Sequence, residues 1–208
     1  MRQIEMLTKD EVAIWTWLVS KGIANALSGL SEMVGQKFSL TSLGIRQLPA
    51  KKAATLLGEP ENEVVGICQE IRGDATGYLI LIHEPQIAFE LVDIQMGLPF
   101  GSTQYLKGIE RSTLEEIGNV TGSFFLNSLA DSTGLSFLPS PPIVMTDMAG
   151  AILDITLSQI MQEQDNVLCI KTTFGTAGRQ MQGVFLVMPT LDFLGVLLQQ
   201  YKKDDFGL

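Results

Sequence analysis

The sequence predicts an α+β fold in which one unit is stated twice and the two halves share a mainly antiparallel sheet packed by long helices. Three observations predict it. A weak internal repeat runs through the chain with a period of about 100 residues. Each half holds two β-rich runs joined by a glycine-containing loop. Each half then ends in a proline followed by an apolar-periodic segment.

The repeat is clearest where Leu30 answers Leu129, Glu32 answers Asp131 and Gly35 answers Gly134 at a constant offset, with Phe38 and Phe137 close behind. Downstream, the run from Val64 to Cys68 and the run from Gly77 to Leu81 flank a loop containing Gly73. The run from Asn166 to Ile170 and the run from Gly183 to Val187 flank Gly175 and Gly178. Short β-rich runs around such loops predict antiparallel hairpins. The segments Pro85 to Gln95 and Pro189 to Gln200 open with proline and keep an i, i+3, i+4 apolar spacing, which predicts helices. Each half thus reads helix, strand, short helix, hairpin, helix. Cys68 and Cys169 fall at matching strand positions and read as buried core thiols.

Composition narrows the function. The 208 residues carry 14 Lys and Arg against 23 Asp and Glu, a formal net charge of −9. Nonspecific nucleic-acid binding is not expected, because it needs cations to neutralise phosphates. A basic membrane-surface helix is not expected on the same ground, and no run reaches the length of a membrane span. One histidine, His83, and two cysteines exclude His/Cys zinc clusters and a disulfide framework. The charged N-terminus, with Glu5, Lys9, Asp10 and Glu11, is unlike a signal peptide, so a cytoplasmic protein is expected. His83, at the end of the run from Tyr78 to Ile82, is expected at a solvent or edge position. The methionines, among them Met33, Met145, Met148, Met161, Met181 and Met188, read as core filler.

The segment from Ser112 to Leu126 reads as a helix with two faces. At roughly 100° per residue, Ser112, Glu116, Asn119 and Ser123 fall within a stripe of about 60°. Leu114, Ile117, Thr121, Phe124 and Ser128 lie on the other side, and Val120 sits between. A polar stripe opposite an apolar one is what any surface helix shows. A carboxylate and a carboxamide one turn apart can also do chemistry, and spacing alone does not choose between the two.

The pattern Ser112-x3-Glu116-x2-Asn119-x22-Pro142 resembles the signature of the CheC/CheX/FliY phosphatases, without insertion or deletion. The words Leu114-Glu115-Glu116-Ile117-Gly118-Asn119 and Asp147-Met148-Ala149-Gly150-Ala151 resemble the same family. The resemblance implies a single CheC-like domain of pseudo-two-fold architecture, with a degenerate site in residues of about 1–100 and an intact one in about 101–208. It implies hydrolysis of the phosphoaspartate of the response regulator CheY by water. On this analogy Asn119 positions the water and Glu116 pairs with a lysine of the response regulator. Ser112 supports the stripe and Pro142 holds the chain extended as it enters a strand. No cofactor of its own is implied; Mg²⁺ is expected on the partner. The receptor deamidase CheD is a second implied partner, and a CheC-like adaptor that binds CheY or CheD with little turnover is the alternative function.

The first half departs from the family. The positions equivalent to Ser112, Glu116 and Asn119 are Ala13, Trp17 and Ser20, so one functional site is expected. Trp17 either packs under the N-terminal segment or a loop, or anchors a docking surface. A flagellar-switch role like that of FliY is not expected, because the chain stops soon after the second repeat.

Overall fold

In a computed structural model the described residues are 7–49, 52–53, 59–160, 166–176, 182–190, 193 and 195–196. They form helices α1 (Lys9–Val34), α2 (Pro85–Gln95), α3 (Ile109–Thr133) and α4 (Ala149–Ile160). The strands are β1 (Phe38–Pro49), β2 (Glu63–Gly73), β3 (Gly77–His83), β4 (Phe137–Pro139), β5 (Ile143–Met148), β6 (Asn166–Thr176) and β7 (Gln182–Pro189). The predicted helix after Pro189 and the first-half short helix lie largely outside the described residues.

All strand pairings are antiparallel, in the order β1-β6-β7-β3-β2-β4, with β5 also paired to β2. The order reads the same from either end when the halves are exchanged. Hairpin β2–β3 lies beside hairpin β7–β6, and each half lends a strand to the other half's hairpin. The predicted α+β class with a shared antiparallel sheet is therefore the observed one.

The two faces of the sheet are unequal. Side chains alternate across a strand. Val65, Ile67, Ile71, Leu79 and Leu81 face a large core that also takes Trp15, Leu18, Ile23, Leu114, Ile117 and Phe125 from the long helices. Val64, Ile80, Ile82, Cys169, Leu186 and Met188 face a smaller core closed by Ile152, Leu153 and Leu157 of α4. No described helix is long and apolar enough to cross a membrane.

Local chemistry fixes the helix ends. Thr8 and Glu11 form a capping box that starts α1. Pro85 occupies the first turn of α2, where a missing N–H costs nothing. α1 and α3 both stop on a left-handed glycine, Gly35 at φ 69° and Gly134 at φ 71°. Those are the two glycines that set the repeat offset in the sequence.

Two expectations fail here. His83 is not exposed or at an edge: β3 is paired on both sides, and the ring is 2% exposed. It packs edge-on against Phe174, with ring centroids 5.8 Å apart. Met148 is not core filler, because it ends β5 at an exposed position; Met188 is buried, and Met33 and Met145 pack at the core margins. Met161 and Met181 lie outside the described residues. Cys169 is the buried core thiol expected, whereas Cys68, on the same face of the sheet, is only partly buried. Burial pushes both thiols up to about 12, which leaves them neutral.

Candidate functional site

α3 lies across β2, and two glycines permit the approach. A Cβ on Gly118 would stand 2.4 Å from Ile67 Cγ2, and one on Gly122 would stand 2.3 Å from Gln69 Oε1. Ile67 and Gln69 are two residues apart on β2, so each glycine seats one rung. With that side pressed to the sheet, the opposite side must face solvent. Ser112, Glu116 and Asn119 are all exposed, and Ser123 is half-buried. Leu114, Ile117, Thr121 and Ser128 are buried, as the periodicity predicts. Phe124, expected inside, is only half-buried, because its ring leaves the sheet to cover Gly29 of α1.

Pro142 stands beside this seat. Its Cβ is 3.4 Å from the place a Gly118 side chain would occupy, one residue before Asn119. Prolines cannot donate to a strand ladder, and Pro141 and Pro142 together interrupt the pairing with β2, which divides it into β4 and β5. Ser140 bridges the gap. Its N–H donates to Glu70 O at 2.8 Å, and its hydroxyl accepts from Glu70 N–H at 3.0 Å.

Sequence reasoning missed three parts of this arrangement. Gln69 is a buried polar residue beneath α3, and its Nε2 donates to Ser140 O at 3.0 Å. One side chain thereby ties the helix seat to the segment that carries Pro142. Arg111 donates from Nη2 to Val144 O, pinning the first turn of α3 to β5. The spacing Gly118-x3-Gly122 was present as a small-residue signal, whereas nothing local marks Gln69 or Arg111.

The α2–α3 connection also delivers the stripe. Asp93, buried at the end of α2, accepts from the N–H groups of Gly101, Ser102 and Thr103 at 2.7, 3.1 and 2.8 Å. Burial pushes its carboxyl up, but these bonds and the Thr103 hydroxyl pull it down further, leaving it below its ordinary value. The anchored loop leads through Gly108, at φ 49°, into α3.

The equivalent stripe on α1 is different. Ala13 and Ser20 are half-buried, and Trp17 is 45% exposed with Lys21 Nζ 5.4 Å above its ring. Ser20 Oγ turns back to donate to Thr16 O at 2.6 Å. Among the described residues, no group of three or more His, Cys, Asp or Glu side chains is placed to hold a metal ion.

The structure is thus an α+β protein whose antiparallel sheet carries a solvent-facing carboxylate and carboxamide on a glycine-seated helix. Residues 109–146, which span α3, the prolines and most of β5, match the model of the CheC-like family. The chain is 24% identical over 163 residues to the CheY-P phosphatase CheC of Bacillus subtilis, covering 77% of this chain and 78% of that protein. Its fold is similar to that of Thermotoga maritima FliY, with a TM-score of 0.76 and 18% identity over 97% of this chain and 100% of the other. It is also similar to a chain of the FliG–FliM complex from H. pylori, with a TM-score of 0.64 and 14% identity over 93% and 100%. The resemblance to the CheC-like family thus holds in family model, sequence and fold.

Proposed function

We propose that this protein hydrolyses the phosphoaspartate of a CheY-type response regulator, with Asn119 aiming the attacking water and Glu116 docking the partner. The observation that supports it is the joint exposure of Glu116 and Asn119 in the segment that matches the family model. An Asn carboxamide offers an acceptor and two donors, so it fixes a water without titrating. Aligning that water with phosphorus replaces a search over orientations by one pose, and positioning of this kind removes several kcal/mol from a barrier. Glu116, one turn below, meets a lysine of the incoming domain in a charge-assisted hydrogen bond. Mg²⁺ held by the response regulator would neutralise phosphoryl charge. Ser112 extends the stripe by one turn, and Pro142 fixes the strand entry beside Gly118. The two repeats form one CheC-like domain, with the first-half site lost.

The test is release of inorganic phosphate from a phosphorylated response regulator with and without this protein. Acceleration by wild type that Asn119→Ala removes supports the reading; equal activity in Asn119→Ala overturns the site.

A second reading is an adaptor that binds CheY or CheD with little turnover. Trp17 favours it, since an exposed aromatic on the α1 stripe is the residue type that anchors interfaces. Binding of the response regulator without any faster phosphate release would decide for the adaptor.

A further inference from the structure

Apolar exposure is unevenly spread over this protein. Ten large apolar side chains stand well exposed among the described residues, and four of them, Leu98, Phe100, Tyr105 and Ile109, fall between the end of α2 and the first turn of α3. Single exposed apolar groups are ordinary, whereas a cluster marks a surface that meets a partner.

The fold of this connection does not need them. Its inward side chains are Met96 and Leu106, which pack at the margin of the large core, and Thr103, which is buried. The buried Asp93 fixes the backbone through the N–H groups of Gly101, Ser102 and Thr103. A connection anchored in this way presents its outward groups already ordered, so contact with them costs little further entropy.

Ile109 joins this cluster to the stripe on α3. It is 63% exposed and stands seven residues before Glu116, two turns along the same face. The face therefore runs Ile109, Ser112, Glu116, Asn119, with an apolar end toward the connection. In the other direction it continues into the polar Ser123 and Asn127. The cations near Ile109 are engaged within the protein: Arg111 with Val144 O and Glu115, Lys107 over the Tyr105 ring. What this end offers a partner is thus apolar contact.

The spacing fits one docking surface. At the rise of an α-helix, Ile109 lies about 10 Å from Glu116 and about 15 Å from Asn119 along the axis. A standard interface covers about 800 Å² of each partner, a disc of about 16 Å radius. A domain centred on Asn119 therefore reaches Ile109.

We propose that Ile109, backed by the outward groups of the α2–α3 connection, is the apolar anchor on which the response regulator docks. The receiver domain seats an apolar patch there, about 10 Å from the lysine that meets Glu116. Ile109 supplies affinity and Glu116 orientation. The proposal rests on the reading of α3 as the face that meets the response regulator, and adds the contact that holds it.

The experiment measures two quantities on the full chain: affinity, by calorimetry, for a response regulator carrying beryllofluoride on its aspartate, and kcat for phosphate release from the phosphorylated regulator. Ile109→Ser should weaken binding about tenfold and Tyr105→Ser less, with kcat within about twofold of wild type. The loss in Ile109→Ser should be the same at about 0.05 and 0.5 M salt, because an apolar contact is not screened. Leu138→Ser removes a side chain of matching exposure, 65%, from the opposite face of the sheet, and should change nothing. Wild-type affinity in Ile109→Ser, or an equal loss in Leu138→Ser, overturns the proposal even where the wild type is an active phosphatase. A wild type that binds without accelerating phosphate release sinks the phosphatase reading alone; weaker binding by Ile109→Ser then still supports the anchor. No binding by the wild type overturns both.

Discussion

The two long helices of this protein lie on one side of the sheet and present different outward faces. α1 has 26 residues and α3 has 25; both end on a left-handed glycine and both pack on one side of the sheet. Their contact is made by small residues on one helix and rings on the other. Gly22 and Gly29 of α1 lie under Phe125 and Phe124 of α3, where a Cβ would stand 2.7 and 2.8 Å from the rings. The outward faces have parted. α3 shows Ser112, Glu116 and Asn119 to solvent, whereas α1 shows Trp17, with Ser20 bonded back to its own helix. Burial constrains the inner stripe of an amphipathic helix and leaves the outer stripe open to other demands. The difference between the two outer stripes is therefore not one that packing on the sheet imposes.

Substitution at the matched positions is the strongest way to break this comparison. Asn119→Ala should lower the rate of phosphate release on the order of 10² to 10³-fold, about 3–4 kcal/mol of transition-state stabilisation lost with the positioned water. Ser20→Ala on α1 should leave the rate unchanged. Both variants should melt within a few degrees of wild type, since neither residue belongs to the core. Equal losses from the two would show that the stripe on α3 has no special role.

Acid should act next most strongly, and it acts through the fold. Burial against Phe174 and Gly183 lowers the His83 pKa from 6.5 to about 4, partly opposed by the Gln182 carbonyl 3.4 Å from Nδ1. The neutral ring is the folded form, and the unfolded chain takes a proton near pH 6.5. The His83 contribution is therefore complete above pH 6.5, falls as pH drops toward 4 and levels off below, a loss on the order of 3 kcal/mol. Chemical denaturation at pH 7 and pH 4.5 measures it. His83→Gln should flatten the dependence. Activity lost in this window by every α3 variant alike reflects His83 rather than the site.

Much of this was legible in the sequence, where the signal is local. α2 was predicted from Pro85 to Gln95 and is observed over those residues, because a proline start and an apolar period need no tertiary partner. The hairpins followed from β-rich runs around glycines. α3 is longer than the segment from Ser112 to Leu126, since its amphipathic spacing continues to the Gly134 stop. The stripe itself was legible, but its exposure needed the sheet beneath it. The buried Gln69, the Arg111 tie and the interior position of His83 depend on strands distant in sequence. No local pattern carries them: β3 is covered on both faces, and Gln69 finds its acceptor 71 residues away.

Glycine substitutions sharpen the comparison at the seat. Gly118→Ala drives a Cβ into Ile67, a branched side chain with little room to retreat, and should cost about 1–3 kcal/mol. It should also lower activity beyond the loss of folded protein, because the helix must lift beside Asn119. Gly22→Ala meets the Phe125 ring and should cost a similar amount of stability while sparing the rate per folded molecule. Thermal melts paired with activity corrected for folded fraction separate the two.

Glu116→Gln should act on docking, raising the KM for the phosphorylated response regulator about tenfold with a smaller change in kcat. The wild-type KM should rise with salt and the variant's much less, as loss of a charge pair requires. Trp17→Gln on α1 should leave both constants unchanged under the phosphatase reading.

The smallest expected effect belongs to the attempt to rebuild the α3 stripe on α1. Trp17→Glu combined with Ser20→Asn places a carboxylate and a carboxamide one turn apart, on a helix packed on the same side of the sheet. If the offset set by Gly35 and Gly134 is the right register, the double variant presents a second stripe and its rate should rise by at most about twofold, the limit for two equal sites acting independently. The same change in Asn119→Ala isolates the rebuilt site, where any phosphate release above the parent variant is attributable to α1. Recovery there would show that the outer stripe alone separates the two helices. No recovery in a well-folded variant would show that the surroundings of α3, with Pro142 beside Gly118 and Arg111 pinned to β5, are needed to make a carboxamide useful.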